Sequence, residues 1–289
     1  MQMRSKNQAD FRSGTSRQSF VGRYLRIAAI VSAAASSSPA FAGDDMQRIG
    51  AFSIDRTEVT IGAFARFAED TAIVTEAEGK GGGLVYASGW ERKPGWNWRN
   101  PYGRTAGPEE PAVHVTFDEA EAYCRWAGKR LPTEKEWLEA AYTETREAPP
   151  PPFIKGRTYR YPTGDAPDGA NCLHDCGDSA GIDYSSSLVR GIGHAKAGTT
   201  APGVNGLFDM GANVWEWVET PDDTHKGTRG GSWWYGAAQM EAGYRATKPR
   251  DMAAVYIGFR CVMDVEQRRG IRPVVSSPSS RRPPSGFRR

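Results

Sequence analysis

The 289-residue chain predicts one large domain in which a few helices and short strands are joined by much irregular chain. Three observations predict it. Thr116-x-x-Glu119 and Thr133-x-x-Glu136 are capping boxes that open helices. The 33 Gly and 19 Pro punctuate the rest so densely that little periodicity survives between 153 and 204. A content of 39% hydrophobic and 11% aromatic residues can fill one good core, and once the chain ends are set aside no second domain is evident.

The elements follow in order. Residues 1–42 read as a secretory leader: Arg4, Lys6, Arg12, Arg17, Arg23 and Arg26 precede the apolar run Ile27 to Ala35, and Ala40-Phe41-Ala42 offers small residues for cleavage after Ala42. The run is much shorter than the roughly 20 residues that cross a bilayer, so no stable membrane span is expected and the mature chain belongs in the periplasm or medium. The body then runs from 43 to 267. A strand is expected near Ala51–Asp55. From Glu58 to Asp70, Ile61, Phe64, Phe67 and Ala68 share one helical stripe, with Thr60 as cap. Val113–Thr116 is a further strand, and the first capping box opens a helix from Phe117 to Ala127, stopped by Gly128. Its buried face is Ala120, Tyr123, Cys124 and Ala127. The second box opens the helix carrying Trp137, Ala140 and Ala141, Pro149–Pro152 is a loop, and short strands are expected at Arg229–Trp234 and Gly258–Met263. The tail, 268–289, has seven Arg and no acid among Pro, Ser and Gly, a composition that reads as disordered. No internal repeat is present.

Charge and cysteine usage narrow the function. The leader and tail carry much of the basic charge, and without them the body has an acidic excess, which argues against a nucleic-acid surface. Cys124, Cys172, Cys176 and Cys261 all lie in the exported part, where disulfides are the default use of an even count. Cys172 and Cys176 enclose His174 and mimic a metal knuckle, but a lone C-x3-C supplies too few ligands for closed zinc, so a local disulfide is favoured. Redox chemistry by the pair stays open.

The segment most suggestive of a site is GLFDMGANVWEW, 206–217, followed by Arg229-Gly230-Gly231-Ser232 and Gly258-Phe259-Arg260-Cys261. It is poor in residues that build long regular elements and rich in oxygen donors and rings, which suits a loop around a bound cation.

These residues resemble a known family. FSIDRTEVTIGAFARFAE (52–69), WNWRNPYG (96–103), PAVHVTFDEAEAYCRWAGKRLPTEKEW (111–137), GLFDMGANVWEW, RGGSWW (229–234) and GFRC (258–261) resemble, in order, the signature blocks of the sulfatase-modifying-factor family, that of the formylglycine-generating enzymes. The resemblance implies a single α+β domain related to the C-type-lectin fold and low in regular structure. It also implies structural calcium, at one site through Asp209, the carbonyls of Ala212 and Val214, and Glu216, and at a second through Asn171, the carbonyl of Cys172, and Asp183. It pairs Cys124 with Cys261, a bridge whose loop-closure entropy is worth roughly 2–5 kcal/mol.

The catalytic block departs from the family. Formylglycine-generating enzymes hold copper(I) on two thiolates that follow the RGGS block, both soft like the metal. Here Ser232 is followed by Trp233, Trp234 and Tyr235, with no Cys before Cys261. Tyr235 stands at the first ligand position and Gln239 or Met240 near the second, so copper-dependent formylglycine formation is not expected. Two readings share most of the weight. One is a divergent oxidoreductase acting as a monomer on a protein, peptide or siderophore-like substrate. Its catalytic residues would be Tyr235, Ser232 and Arg245, and Trp233, Trp234, Tyr244, Trp96 and Trp98 would bind substrate. Trp233 and Trp234 point to opposite sides of an extended chain, so at most one faces a given pocket. The other is a non-catalytic binding or accessory protein for maturation of a periplasmic enzyme, such as a copper enzyme, so whether the chain is an enzyme stays open. A third, minor reading is a formylglycine generator that borrows Cys172 or Cys176 as ligand.

Overall fold

A threonine opens each of the three longest helices, and in each its hydroxyl accepts a backbone N–H that the first turn would otherwise leave unpaired. The computed structural model describes residues 45–265 except 179, 189 and 190. The expected leader, 1–42, and the expected tail, 268–289, lie outside the described residues. All described residues fall in one compact unit.

Strands β1 (Met46–Ile49) and β2 (Phe52–Asp55) form an antiparallel hairpin with Met46 opposite Asp55. Helix α1 (Ile61–Thr71) follows, capped by Thr60, and buries Ile61, Phe64, Phe67 and Ala68 as its stripe predicts. A short helix, α2 (Glu76–Gly79), leads into the hairpin β3 (Gly82–Tyr86) and β4 (Trp90–Pro94), which the sequence reading did not anticipate. Helices α3 (Phe117–Trp126) and α4 (Glu134–Tyr142) open on the two capping boxes, and both boxes close reciprocally. Gly128, at φ 71°, ends α3 in the left-handed conformation that an L side chain adopts only at a cost.

The chain from 143 to 203 contains no helix or strand among its described residues. Four strands then form the central sheet: β5 (Trp215–Val218), β6 (His225–Arg229), β7 (Ala246–Pro249) and β8 (Ile257–Gly258), in the order β7-β6-β5-β8. β5 and β8 run parallel, and their neighbours are antiparallel. The final strand, β9 (Val262–Asp264), pairs with the free side of β2.

Three strand expectations are corrected. Residues 113–116 are buried but not a strand, because His114 turns the backbone at φ 56°. The strand expected at Arg229–Trp234 lies earlier, as β6, since Gly230 and Gly231 at φ 95° and 83° break the extended path after Arg229. The strand expected at 258–263 is interrupted and serves two sheets, β8 before the break and β9 after it. The segment 206–217 is also not wholly a loop, since its last three residues lie in β5 at the centre of the sheet.

Both expected disulfides form. Cys124 on α3 joins Cys261 across 137 residues, and Cys172 joins Cys176. The main core gathers α1, α3, the 113–117 segment and β5 around Phe64, Trp98, Phe117, Trp217 and Phe259, all essentially without exposure. Burying each such ring removes 150–250 Å² from water, the largest favourable term available to the fold.

Candidate functional site

Two indoles shape a groove on the surface of the main core. Trp96 follows β4, where its carbonyl accepts from Gly83 N at 2.6 Å and so ties the ring to the hairpin. Trp234 comes from the turn after β6. Between them lies a cavity of about 380 Å³, completed by Val85, Tyr86 and Lys93 of the hairpin and by Ser187 and Leu188 from the turn that follows Tyr184. The Lys93 ammonium is also held by Glu91 at 2.7 Å. Beyond the mouth, Tyr86 and Trp90 meet edge to face at 5.4 Å and both stay well exposed.

Behind the groove is a buried polar network. The Tyr102 hydroxyl lies 2.9 Å from His194 Nδ1 and accepts from His194 N at 3.0 Å. His194 Nε2 lies 2.8 Å from Glu110 Oε2, which the Tyr184 hydroxyl also approaches closely. Burial opposes ionisation of Glu110, but hydrogen bonds from His194, Tyr184 and Gly107 N outweigh it and hold the carboxyl below its ordinary range. Burial pushes His194 down and Tyr102 well up, so both are neutral beside the carboxylate.

The residues read from the sequence as one pocket are divided among three places. Trp96 and Trp234 line the groove. Trp98 is not a pocket wall: it is fully buried, packs edge-on to Phe64 and donates its indole N–H to Glu78. Trp233 is likewise core, 5.3 Å from the Tyr256 ring, and its Nε1 has no hydrogen-bond partner among the described residues. Ser232 is buried, with its Oγ accepting from Trp234 N. Tyr235 and Tyr244 both lie against Trp215, at 5.6 and 5.9 Å, and neither lines the groove. Arg245 is paired with Glu134 at 2.9 Å, a carboxylate that also takes Arg229. Sequence reasoning missed the hairpin residues Tyr86 and Lys93 and the quartet Tyr102, Glu110, Tyr184 and His194. For Tyr102, Tyr184 and His194 the sequence signal was aromatic and His content in otherwise irregular chain.

The expected metals can be tested against the side chains present. All four cysteines are bridged, so none offers copper(I) a thiolate, and the reading in which Cys172 or Cys176 serves as ligand is corrected. The first calcium set also fits poorly as folded. Glu216 accepts from Arg260 Nε and Nη2 at 2.7–2.9 Å and from Trp137 Nε1 at 2.7 Å. Asp209 accepts from Thr200 Oγ1 and Gly198 N, both at 2.6 Å. At the second set, Asn171 is buried and turns its amide to Asn213 and Gly193 O, whereas Asp183 is exposed and accepts from Ser185 N. No group of three His, Cys, Asp or Glu among the described residues is arranged to hold a metal. For calcium to bind at 209–216, Arg260 has to yield Glu216. The melting temperature is therefore expected to be indifferent to a chelator, and a clear fall on chelation would restore calcium to that loop.

Around Arg260 the charges are unbalanced, because Glu58 and Asp209 are buried near the Arg260–Glu216 pair. Glu58 accepts from Asn213 Nδ2 at 2.7 Å and from Val214 N at 3.2 Å. Burial first, then the charges of Asp209 and Glu216, lift its carboxyl well above the ordinary 4.5, against the pull of Arg260 and Asn213. The folded state thus keeps a proton that the unfolded chain releases near 4.5. Stability from this group is highest below that value and is lost as pH rises towards the raised folded value. Glu58→Gln, which mimics the protonated acid, is expected to flatten that decline in urea titrations from about pH 4 to about pH 8. An unchanged slope would remove Glu58 as its source.

Comparison with known proteins agrees with this architecture. Residues 31–265 match the Sulfatase-modifying factor enzyme 1-like domain. The Formylglycine-generating enzyme of Thermomonospora curvata is 30% identical over 273 residues, covering 75% of this chain and 83% of that protein. The Inactive C-alpha-formylglycine-generating enzyme 2 of Mus musculus is also 30% identical, covering 73% of this chain and 74% of that one. Among solved structures, PvdO from Pseudomonas aeruginosa superposes with a TM-score of 0.50 at 21% identity, over 74% of this chain and 80% of that one. No helix among the described residues is long and apolar enough to cross a membrane. The chain belongs to the sulfatase-modifying-factor family, the family of the formylglycine-generating enzymes, and has its mixed α+β fold.

Proposed function

We propose that the chain is an exported, divergent oxidoreductase of this family, acting on a planar group of a protein, peptide or siderophore-like molecule held between Trp96 and Trp234. The observation that carries this reading is the groove. Its volume of about 380 Å³ lies within the roughly 300–1,000 Å³ of small-ligand clefts. An indole stacked on a flat ring contributes about 0.5–1.5 kcal/mol beyond the area it covers. Lys93 and Ser187 supply the few polar contacts that fix orientation, and Lys93 turns to an anionic group of the ligand only by leaving Glu91. Oxidation on thiolate-bound copper is not part of this proposal, because no free thiol remains. Periplasmic location belongs to the same proposal and rests on the leader sequence.

A second reading is supported by a specific observation: Tyr235, Ser232 and Arg245 do not converge on the groove, and a similar protein carries the name inactive. In it the groove binds without chemistry, and the chain assists maturation of a periplasmic enzyme. One experiment separates the two. Quenching of tryptophan fluorescence reads binding of planar anionic candidates, and oxygen uptake reads turnover on those that bind. Trp96→Ala and Trp234→Ala are each expected to weaken binding roughly tenfold, which is about 1.4 kcal/mol. Binding that survives both changes would place the ligand elsewhere, and binding without uptake would favour the accessory role.

A further inference from the structure

We propose that Tyr102 is a redox-active tyrosine, able to give up one electron towards the groove while its phenolic proton passes to His194. The buried quartet holds the proton's path, and rings connect it to the groove walls. The groove supplies the entry point in the proposed oxidoreductase, but the relay stands on its own geometry whatever ligand the groove takes.

Hydrogen-bond bookkeeping sets the direction of the proton. Glu110 is a carboxylate and can only accept, so His194 Nε2, 2.8 Å away, carries the hydrogen. In the neutral ring Nδ1 is then the bare nitrogen, and the Tyr102 hydroxyl 2.9 Å away must donate to it. The same hydroxyl oxygen accepts from His194 N, so the phenol is fixed from both sides. Tyr184 is differently placed: its hydroxyl donates to Glu110, which already accepts from His194 and from Gly107 N.

Ring contacts set the path of the electron. Tyr102 lies 5.9 Å from Trp96, a groove wall, and 6.1 Å from Trp233, which in turn lies 5.4 Å from Trp234, the other wall. The Tyr184 ring lies against Tyr102 at 3.8 Å, tilted by 33°. A hole created on either wall therefore has Tyr102 as a shared neighbour, directly or through one indole.

An oxidised indole of Trp96 or Trp234, or another one-electron oxidant at the groove, takes one electron from the Tyr102 phenol. The O–H bond breaks and an N–H bond forms at His194 Nδ1. The products are a neutral tyrosyl radical, a reduced oxidant and an imidazolium beside the Glu110 carboxylate, whose charge stabilises it. A one-electron donor reverses every change. Without His194 the oxidised phenol would be a buried cation with no acceptor, which is strongly unfavourable.

The test uses the whole protein and needs no natural substrate. A ruthenium(III) polypyridyl complex, generated by flash photolysis, supplies the oxidant, and the product radicals are read by electron paramagnetic resonance and transient absorption. Wild type is expected to give a neutral tyrosyl radical whose formation slows in D2O. Tyr102→Phe should lose that signal in favour of tryptophanyl radical, whereas Tyr184→Phe should retain it. His194→Gln should reduce the tyrosyl yield, and this decides the matter if Tyr102→Phe does not fold. A tyrosyl signal unchanged in Tyr102→Phe or in His194→Gln, or wild type yielding tryptophanyl radical alone, would overturn the proposal. Because the oxidant is external, failure here leaves the groove's binding test untouched, and failure of that test leaves this one standing.

Discussion

Arg260→Met is expected to destabilise the protein by about 3–5 kcal/mol, a large share of a domain's total stability, because the change strands a buried carboxylate without its cation. Arg260 and Glu216 are both without exposure, and the guanidinium also donates to the carbonyls of Asp55 and Phe208. Met fills a similar volume but donates nothing. Glu216 and Asp209 then face one another, with Glu58 beside them, in a medium that screens poorly. A buried ion pair is often no better than a well-packed apolar pair, so the effect is the cost of orphaning one partner. Urea denaturation at neutral pH measures it. A loss under about 1 kcal/mol would mean that water or a cation reaches the site and that its carboxylates are not held dry. The double change Arg260→Met with Glu216→Gln is expected to recover part of the loss, since it removes one orphaned charge while leaving an acceptor for Trp137.

The second large effect is expected from the long disulfide. Cys124–Cys261 closes a loop of 137 residues, for which the chain-entropy relation gives about 5 kcal/mol. Cys172–Cys176 spans 4 residues and by the same relation gives about 2 kcal/mol. Replacing both cysteines of the long bridge by Ala should therefore cost more than twice as much as replacing both of the short one, read as midpoints of guanidinium unfolding. Equal losses would show that the unfolded chain is already restricted by residual structure.

The sequence made legible what local chemistry decides. Thr60, Thr116 and Thr133 cap helices because hydroxyl oxygens three residues before a free N–H leave little choice. The buried stripe of α1 follows from spacing alone. Illegible were the features that depend on which segments meet. His114 alternates with Val113 and Val115 like a strand residue, yet its backbone is left-handed and no strand forms there. Trp98 and Trp96 are two residues apart in one block, and nothing local says that one is sealed in the core while the other lines a groove. Tyr102, Glu110, Tyr184 and His194 are spread over 93 positions and become a unit only in three dimensions. Conversely, Tyr235, Ser232 and Arg245 are close in sequence but face different surroundings, because Ser232 is buried and the 3-10 turn Ala237–Met240 separates Tyr235, against Trp215, from Arg245, on Glu134.

The placement of β9 bears on how the protein comes to be made. Residues 260–264 hold the ion-pair partner of Glu216, the sulfur that locks α3, and the strand that completes the first hairpin. The first hairpin, α3 and β5 therefore each wait for a piece encoded late in the body. Contacts this remote in sequence slow folding. A fragment ending before Arg260 should be cut by protease more readily than the whole chain at the first hairpin and at α3.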